Sequence, residues 1–201
     1  MTSSVIGFVV GVMFVIGYIP QVKELFKGSF KKDGGISGVS SVFWFFIFFG
    51  TYITYRNLVL TESHLSVIIP QGFNTYFALL IFIMVVTIKK DLSKSFVIVI
   101  LSLIVVNVSF IILPTDLSQN FATAFISVAY ITQIIKLIKN KDTSGLSIAL
   151  FVFIAVSLLL MVVNIIISGS YILAGWTELT NMAMILIIIG LILYYRKIKK
   201  V

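Results

Sequence analysis

YIPQVKELFKGSFKKDGGISGVS (18–40) and YITQIIKLIKNKDTSGLS (130–147) are two copies of one pattern. Tyr18-Ile19-Pro20-Gln21 returns as Tyr130-Ile131-Thr132-Gln133 at an offset of 112, with Leu25 and Lys27 matching Leu137 and Lys139. The following loop is five residues shorter in the second copy, and from there the offset is 107. Ser37-Gly38-Val39-Ser40 then matches Ser144-Gly145-Leu146-Ser147, Phe46-Ile47 matches Phe153-Ile154, Asn74 matches Asn181, and Lys89-Lys90 matches Arg196-Lys197. An internal repeat settles architecture before any local reading does.

Around these copies the chain is apolar. Of its 201 residues 60% are hydrophobic and 11% charged, with a mean hydropathy of +1.16. Soluble domains carry about a quarter charged residues, so the composition rules out a disordered chain and argues against a soluble globular domain. A bilayer-crossing helix needs roughly 20 apolar residues, and seven such stretches separate near 3–26, 36–60, 65–88, 95–113, 118–138, 144–168 and 171–195. The first lacks the basic flank and clustered small residues of a cleaved signal peptide, so it reads as a mature span.

Charge then sets orientation. Lys23, Lys27, Lys31 and Lys32 surround the first loop, and Lys89, Lys90 and Lys94 the third. Lys136, Lys139 and Lys141 flank the fifth, and Arg196, Lys197, Lys199 and Lys200 form the tail. Fourteen of the 15 basic residues thus share one side, leaving Arg56 for the other. By the positive-inside rule the odd loops and the C-terminus are cytoplasmic and the N-terminus is outside, in a multi-pass protein of the cell membrane. The net charge of +8 reads as a topology signal rather than a nucleic-acid site.

The expected fold is therefore an all-α membrane protein of seven transmembrane helices. Residues 1–90 form a first three-helix repeat, 91–114 a linker helix, and 115–201 a second three-helix repeat. One spacer helix between three-helix units keeps the two bundles parallel, related by an axis along the membrane normal, which is a transporter architecture. Pro20-Gln21, with its basic loop and Ser37-Gly38-Val39-Ser40, resembles the PQ-loop motif; Thr132-Gln133 is a degenerate second copy. The 3+1+3 arrangement resembles the seven-helix members of the SWEET/PQ-loop superfamily over essentially the whole chain. That superfamily includes sugar uniporters, lysosomal amino-acid exporters, vitamin-precursor channels and a cargo receptor. The resemblance implies fold more directly than cargo.

Several residues are candidates for the work. Asn74 and Asn181 fall near mid-depth, and a carboxamide offers donors and acceptors without charge; the resemblance implies that they face a central pocket. Tyr52, Tyr55, Thr123 and Ser127 are further candidates for lining it. Pro20 lacks the N–H for the Ile16 carbonyl and is expected to bend its helix; the resemblance implies that Pro20 and Gln21 are a hinge for the cytoplasmic gate, the alternative being a static bend. Thr132 and Gln133 are its weaker counterpart, and Gln21 is expected to satisfy the freed backbone or to pair with Gln133. Glu178 is the one acidic residue placed well inside a span, a turn from Asn181, with Gln71 as its repeat mate. An intramembrane carboxylate usually has a function: proton coupling, or binding a cationic group. The alternatives are solvation near the outer surface or pairing with Arg56. Trp44 and Trp176 read as belt residues, Asp116 as a helix N-cap, and Gly7-x-x-x-Gly11 as a close packing face.

The sugar-transporting relatives place a tryptophan where this chain has Leu58 and Ile165. The leading function is a transporter of a small polar solute by alternating access, with sugar as the first guess. The competitors are a proton-coupled amino-acid transporter using Glu178 and a receptor for a cargo. Zero cysteines and one histidine leave no thiolate or histidine-rich metal site. No convergent catalytic set is present, so neither cofactor nor enzymatic activity is expected, and the partners are the solute and the bilayer.

Overall fold

A computed structural model describes residues 2–30, 35–90, 101, 104, 107–108 and 113–198. Among them there are six long helices and no strand: α1 (Thr2–Ser29), α2 (Ser41–Leu60), α3 (Leu65–Ile88), α4 (Thr115–Asn140), α5 (Ile148–Ser168) and α6 (Ile172–Ile198). All six are long and apolar enough to cross a membrane. The expected fourth span, 95–113, falls almost wholly outside the described residues, so α4 corresponds to the fifth expected span.

The repeated sequence makes repeated starts. Ser40 caps α2 by accepting from the Phe43 N–H, and Ser147 caps α5 by accepting from the Leu150 N–H, each satisfying one free donor of a first turn. The α5 terminus is closed by Gly169 in the left-handed conformation, φ 65°, whose neighbour Ser170 returns its N–H to Ile165 O. Asp116 is not the cap expected of it. Helix α4 begins one residue earlier, after Pro114, and Asp116 sits in its first turn, where its carboxylate accepts from Tyr171 Oη at 2.6 Å. A carboxylate there still favours the positive end of the helix dipole.

Packing follows the duplication. Helix α3 packs between α1 and α2, and α6 between α4 and α5. The two triplets meet along two seams, α1 against α5 and α2 against α4. The six helices therefore close a ring in the order α1, α3, α2, α4, α6, α5. A β-carbon on Gly7 would overlap the Ser66 carbonyl, so this glycine lets α1 lie directly on α3. Outward faces carry large apolar side chains such as Phe8, Ile19, Tyr76, Leu186 and Leu193, each more than half exposed. Apolar surface on that scale suits lipid rather than water. This is a multi-pass membrane protein.

Candidate functional site

Two ends are distinguished here by sequence: a basic end, with residues 35–40, 89–90 and 141–147, and an opposite end, with residues 61–64 and 169–171. Between them lies a small cavity lined in matched pairs, Tyr18 with Tyr130, Trp44 with Phe151, Ile47 with Ile154 and Asn74 with Asn181, together with Phe43 and Thr51. Its free volume of about 10 Å³ is room for roughly one water, so the site is closed around itself.

The polar core of the cavity repeats across the axis. Tyr18 Oη donates to Asn74 Oδ1 at 2.7 Å, and Tyr130 Oη donates to Asn181 Oδ1. All four side chains are at most 3% exposed. Each phenol fixes which way its carboxamide faces, leaving the NH₂ side for other work. Asn181 Nδ2 spends it on Glu178 Oε2, at 3.3 Å.

Symmetry breaks at the next turn. Gln71 on α3 and Glu178 on α6 are repeat mates, fully buried and next to one another without closing a hydrogen bond. Both polar atoms of the Gln71 amide, Glu178 Oε1 and the indole Nε1 of Trp44 have no partner among the described residues. Buried polar groups are nearly always satisfied, so Gln71 with Glu178, and Trp44 on the cavity wall, carry unmet hydrogen-bonding capacity. Glu178 at 1% exposure is not solvated at the surface; Asn181 and Gln71 lie beside its carboxyl group.

Both seams are pinned at both ends by carboxamides. At the basic end Gln21 Nε2 donates to Gly145 O (2.6 Å) while its Oε1 accepts from Ser147 N (3.0 Å). Gln133 does the same with Gly38 O (2.8 Å) and Ser40 N (3.0 Å). The two glutamines therefore do not pair with each other: each reaches into the other repeat and takes the two free backbone groups of its Ser-Gly turn. The turns also meet directly, Ser37 Oγ lying 2.9 Å from Ser144 Oγ, with both hydroxyls donating to Asp142. At the opposite end Asn57 Nδ2 donates to Gln119 Oε1 and its Oδ1 accepts from Ser118 Oγ, across the α2–α4 seam. Its repeat mate Asn164 donates to Ser66 O and accepts from Ser3 Oγ, tying α5 to α3 and α1.

The remaining candidates sit elsewhere. Tyr52 Oη donates to Asn107 Oδ1 at 2.9 Å, tying α2 to the 91–114 segment. Tyr55 packs over Gly72 in a crevice away from the axis. Ser127 back-bonds to Thr123 O, and Thr123 Oγ1 meets Thr177 Oγ1 at 2.7 Å on the α4–α6 contact. None of these four lines the small cavity. Pro20 lies inside a helix that runs on to Ser29, and Thr132 Oγ1 back-bonds to Ala129 O at 2.7 Å. Trp44 is corrected: at 1% exposure it is no belt residue but a wall of the cavity, its ring centroid 6.3 Å from that of Tyr18. Trp176 is 64% exposed.

Sequence reasoning missed Trp44, Tyr18, Asn57 and Asn164 as members of the site or its seals. All four carried a legible signal, because 44 and 151, 57 and 164, and 18 and 130 obey the repeat offsets. A larger crevice of about 820 Å³ opens between α1 and α3, walled by Phe8, Gly11, Val12 and Phe73. It is almost wholly apolar and off the axis, and it lacks the convergent polar groups that mark a specific site.

Residues 115–173 match the PQ loop repeat. The second copy is a PQ-loop repeat. The match covers α4, α5 and the turn between them, the copy in which threonine replaces the proline of the first. Searches of curated proteins and of solved structures give no match. A PQ-loop repeat within a multi-pass helical protein supports a membrane transporter-like function. Among the described residues no cluster of His, Asp and Glu could hold a metal ion.

Proposed function

We propose that this protein carries a small polar organic solute by alternating access, the solute binding between Tyr18–Asn74 and Tyr130–Asn181 as the triplets rock about the seams. The basic end faces the cytoplasm of the cell membrane and the N-terminus faces outside, as the charge distribution supports. The observation that carries the reading is the axial cavity walled by two repeat-matched Tyr–Asn pairs, with buried polar atoms of Trp44 on its wall, and of Gln71 and Glu178 one turn from the asparagines, left without a hydrogen-bond partner among the described residues. Leaving such atoms dry costs about 1–3 kcal/mol each, a penalty that a solute's hydroxyl or amine groups relieve.

Sugar is the first reading. Neutral amides and phenols match hydroxyls, and Trp44 with Phe151 offers aromatic faces for a ring. A second reading is favoured by Glu178, a buried carboxyl one turn from Asn181: an amino acid moved with a proton. Uptake into proteoliposomes by a panel of sugars and amino acids, with and without a pH gradient, separates them. Asn74→Ala/Asn181→Ala should lower uptake of the true solute at least tenfold, and unchanged uptake would remove the axial site. Glu178→Gln should abolish the pH dependence under the second reading and leave uptake gradient-independent under the first.

A further inference from the structure

Two lysines at the basic end are folded inward rather than displayed. Lys89, just after α3, donates to Val39 O at 2.5 Å, and Lys136, on α4, donates to the same oxygen at 2.7 Å. The two ammonium nitrogens are thus no further apart than those two bonds allow, and both side chains are half-buried. They come from different triplets and converge on the turn that Gln133 holds shut. A topology signal requires basic residues near the surface; it does not require two of them on one carbonyl. The repeat mate of Lys89, Arg196, sits alone on Leu146 O at 2.7 Å, so the doubling is particular to this seam. Like charges brought this close repel, and a neutral carbonyl does not neutralise them. Among the described residues Asp142 is the carboxylate whose charge favours the Lys136 ammonium, and it also accepts from Ser37 and Ser144. Burial, then the Lys136 ammonium, lowers the Lys89 pKa to about 8.

We infer that Lys89 and Lys136 form a binding site for a phosphate-class anion that bridges the two triplets and holds the basic end closed. Only in the closed arrangement do both ammonium groups reach one anion, so its binding selects that state. At the end of a transmembrane helix the anion is either the headgroup of an anionic lipid or free phosphate. The inference does not depend on which solute is carried.

The test is thermal unfolding of the full chain in nanodiscs. Arms are phosphatidylcholine alone, phosphatidylcholine with inorganic phosphate against chloride of equal ionic strength, and a phosphatidylcholine–phosphatidylglycerol mixture. A saturable Tm rise of roughly 5 °C at about 100 times Kd is expected in at least one anionic arm, and which arm responds identifies the source. Lys89→Gln/Lys136→Gln should lose the rise and Lys89→Arg/Lys136→Arg should keep it, while Lys139→Gln/Lys197→Gln, on the exposed rim, should respond like the parent. A second readout uses the cysteine-free background: Ser37→Cys/Ser144→Cys should cross-link several-fold faster with the anion present, and that gain should vanish in the double glutamine variant. No rise in either anionic arm, or an equal rise in the double glutamine variant, overturns the inference. So does cross-linking indifferent to the anion.

Discussion

At Gly38 a β-carbon would stand 2.6 Å from Ser144 O and 2.8 Å from Asp142 O, both belonging to the other repeat. Gly145 has φ +75°, and a β-carbon there would lie 2.9 Å from Ile36 Cα. The Ser-Gly pair recurs because each turn presses its backbone against the other's. Alanine at either position should destabilise the protein by about 1–3 kcal/mol through overpacking, with left-handed strain added at 145. Gly169 supplies the control, since its φ is +65° but nothing lies within 4 Å of its β-position. Thermal unfolding of the three alanine variants should rank Gly169→Ala as the mildest; a loss at Gly169 equal to that at Gly145 would reduce the Gly145 effect to backbone strain. Lys89 gives a pH signature at the same end. Its pKa is lowered from 10.5 to about 8 by burial, then by Lys136, so the folded state disfavours its charged form. That penalty is complete below about pH 8 and is relieved as pH rises from about 8 toward 10.5. Tm of the parent should therefore gain on that of Lys89→Gln across this window, and a constant difference would refute the assignment.

Helices α1 and α4 carry the same motif on different backbones. In α1 Pro20 offers no N–H to the Ile16 carbonyl, whereas in α4 Thr132 keeps its backbone donor and its hydroxyl returns to Ala129 O. Both helices run through the motif, so the difference concerns ease of bending rather than helix existence. Pro20→Ala should slow transport several-fold more than Thr132→Ala in proteoliposome uptake, with little change in solute affinity; equal effects would mean that both triplets bend alike. The repeat offsets made the helices, the Ser caps and the two asparagines readable, because each is a local device repeated in sequence. The partners of Gln21 and Gln133 were not readable. Symmetry about an axis allows a residue to meet its own mate or the other copy's neighbouring loop, and only packing decides between them. Trp44 was misread for a related reason: hydropathy places a tryptophan near one end of a span but not on its inner or outer face.

At the scale of the ring, two seams with two pins each describe a bundle that is shut at both ends around a cavity of about 10 Å³. Alternating access requires one pair of pins to release while the other holds. Gln21 and Gln133 each bond two backbone groups of the opposite repeat at the basic end, and Asn57 and Asn164 bond side chains and backbone across the seams at the other. Removing one set should therefore bias the ring toward opening at that end. A reporter cysteine at Ile47, on the cavity wall, can be labelled by an impermeant maleimide added to either side, and the absence of native cysteines makes the signal specific. Gln21→Ala/Gln133→Ala should raise labelling from the basic end several-fold, and Asn57→Ala/Asn164→Ala should raise it from the opposite end. A net bonding difference of about 1.4 kcal/mol between closed and open states shifts the population tenfold, well within reach of two lost carboxamides. If both double variants increase labelling from the same side, the pins do not act as separate gates and the seams open as a single hinge.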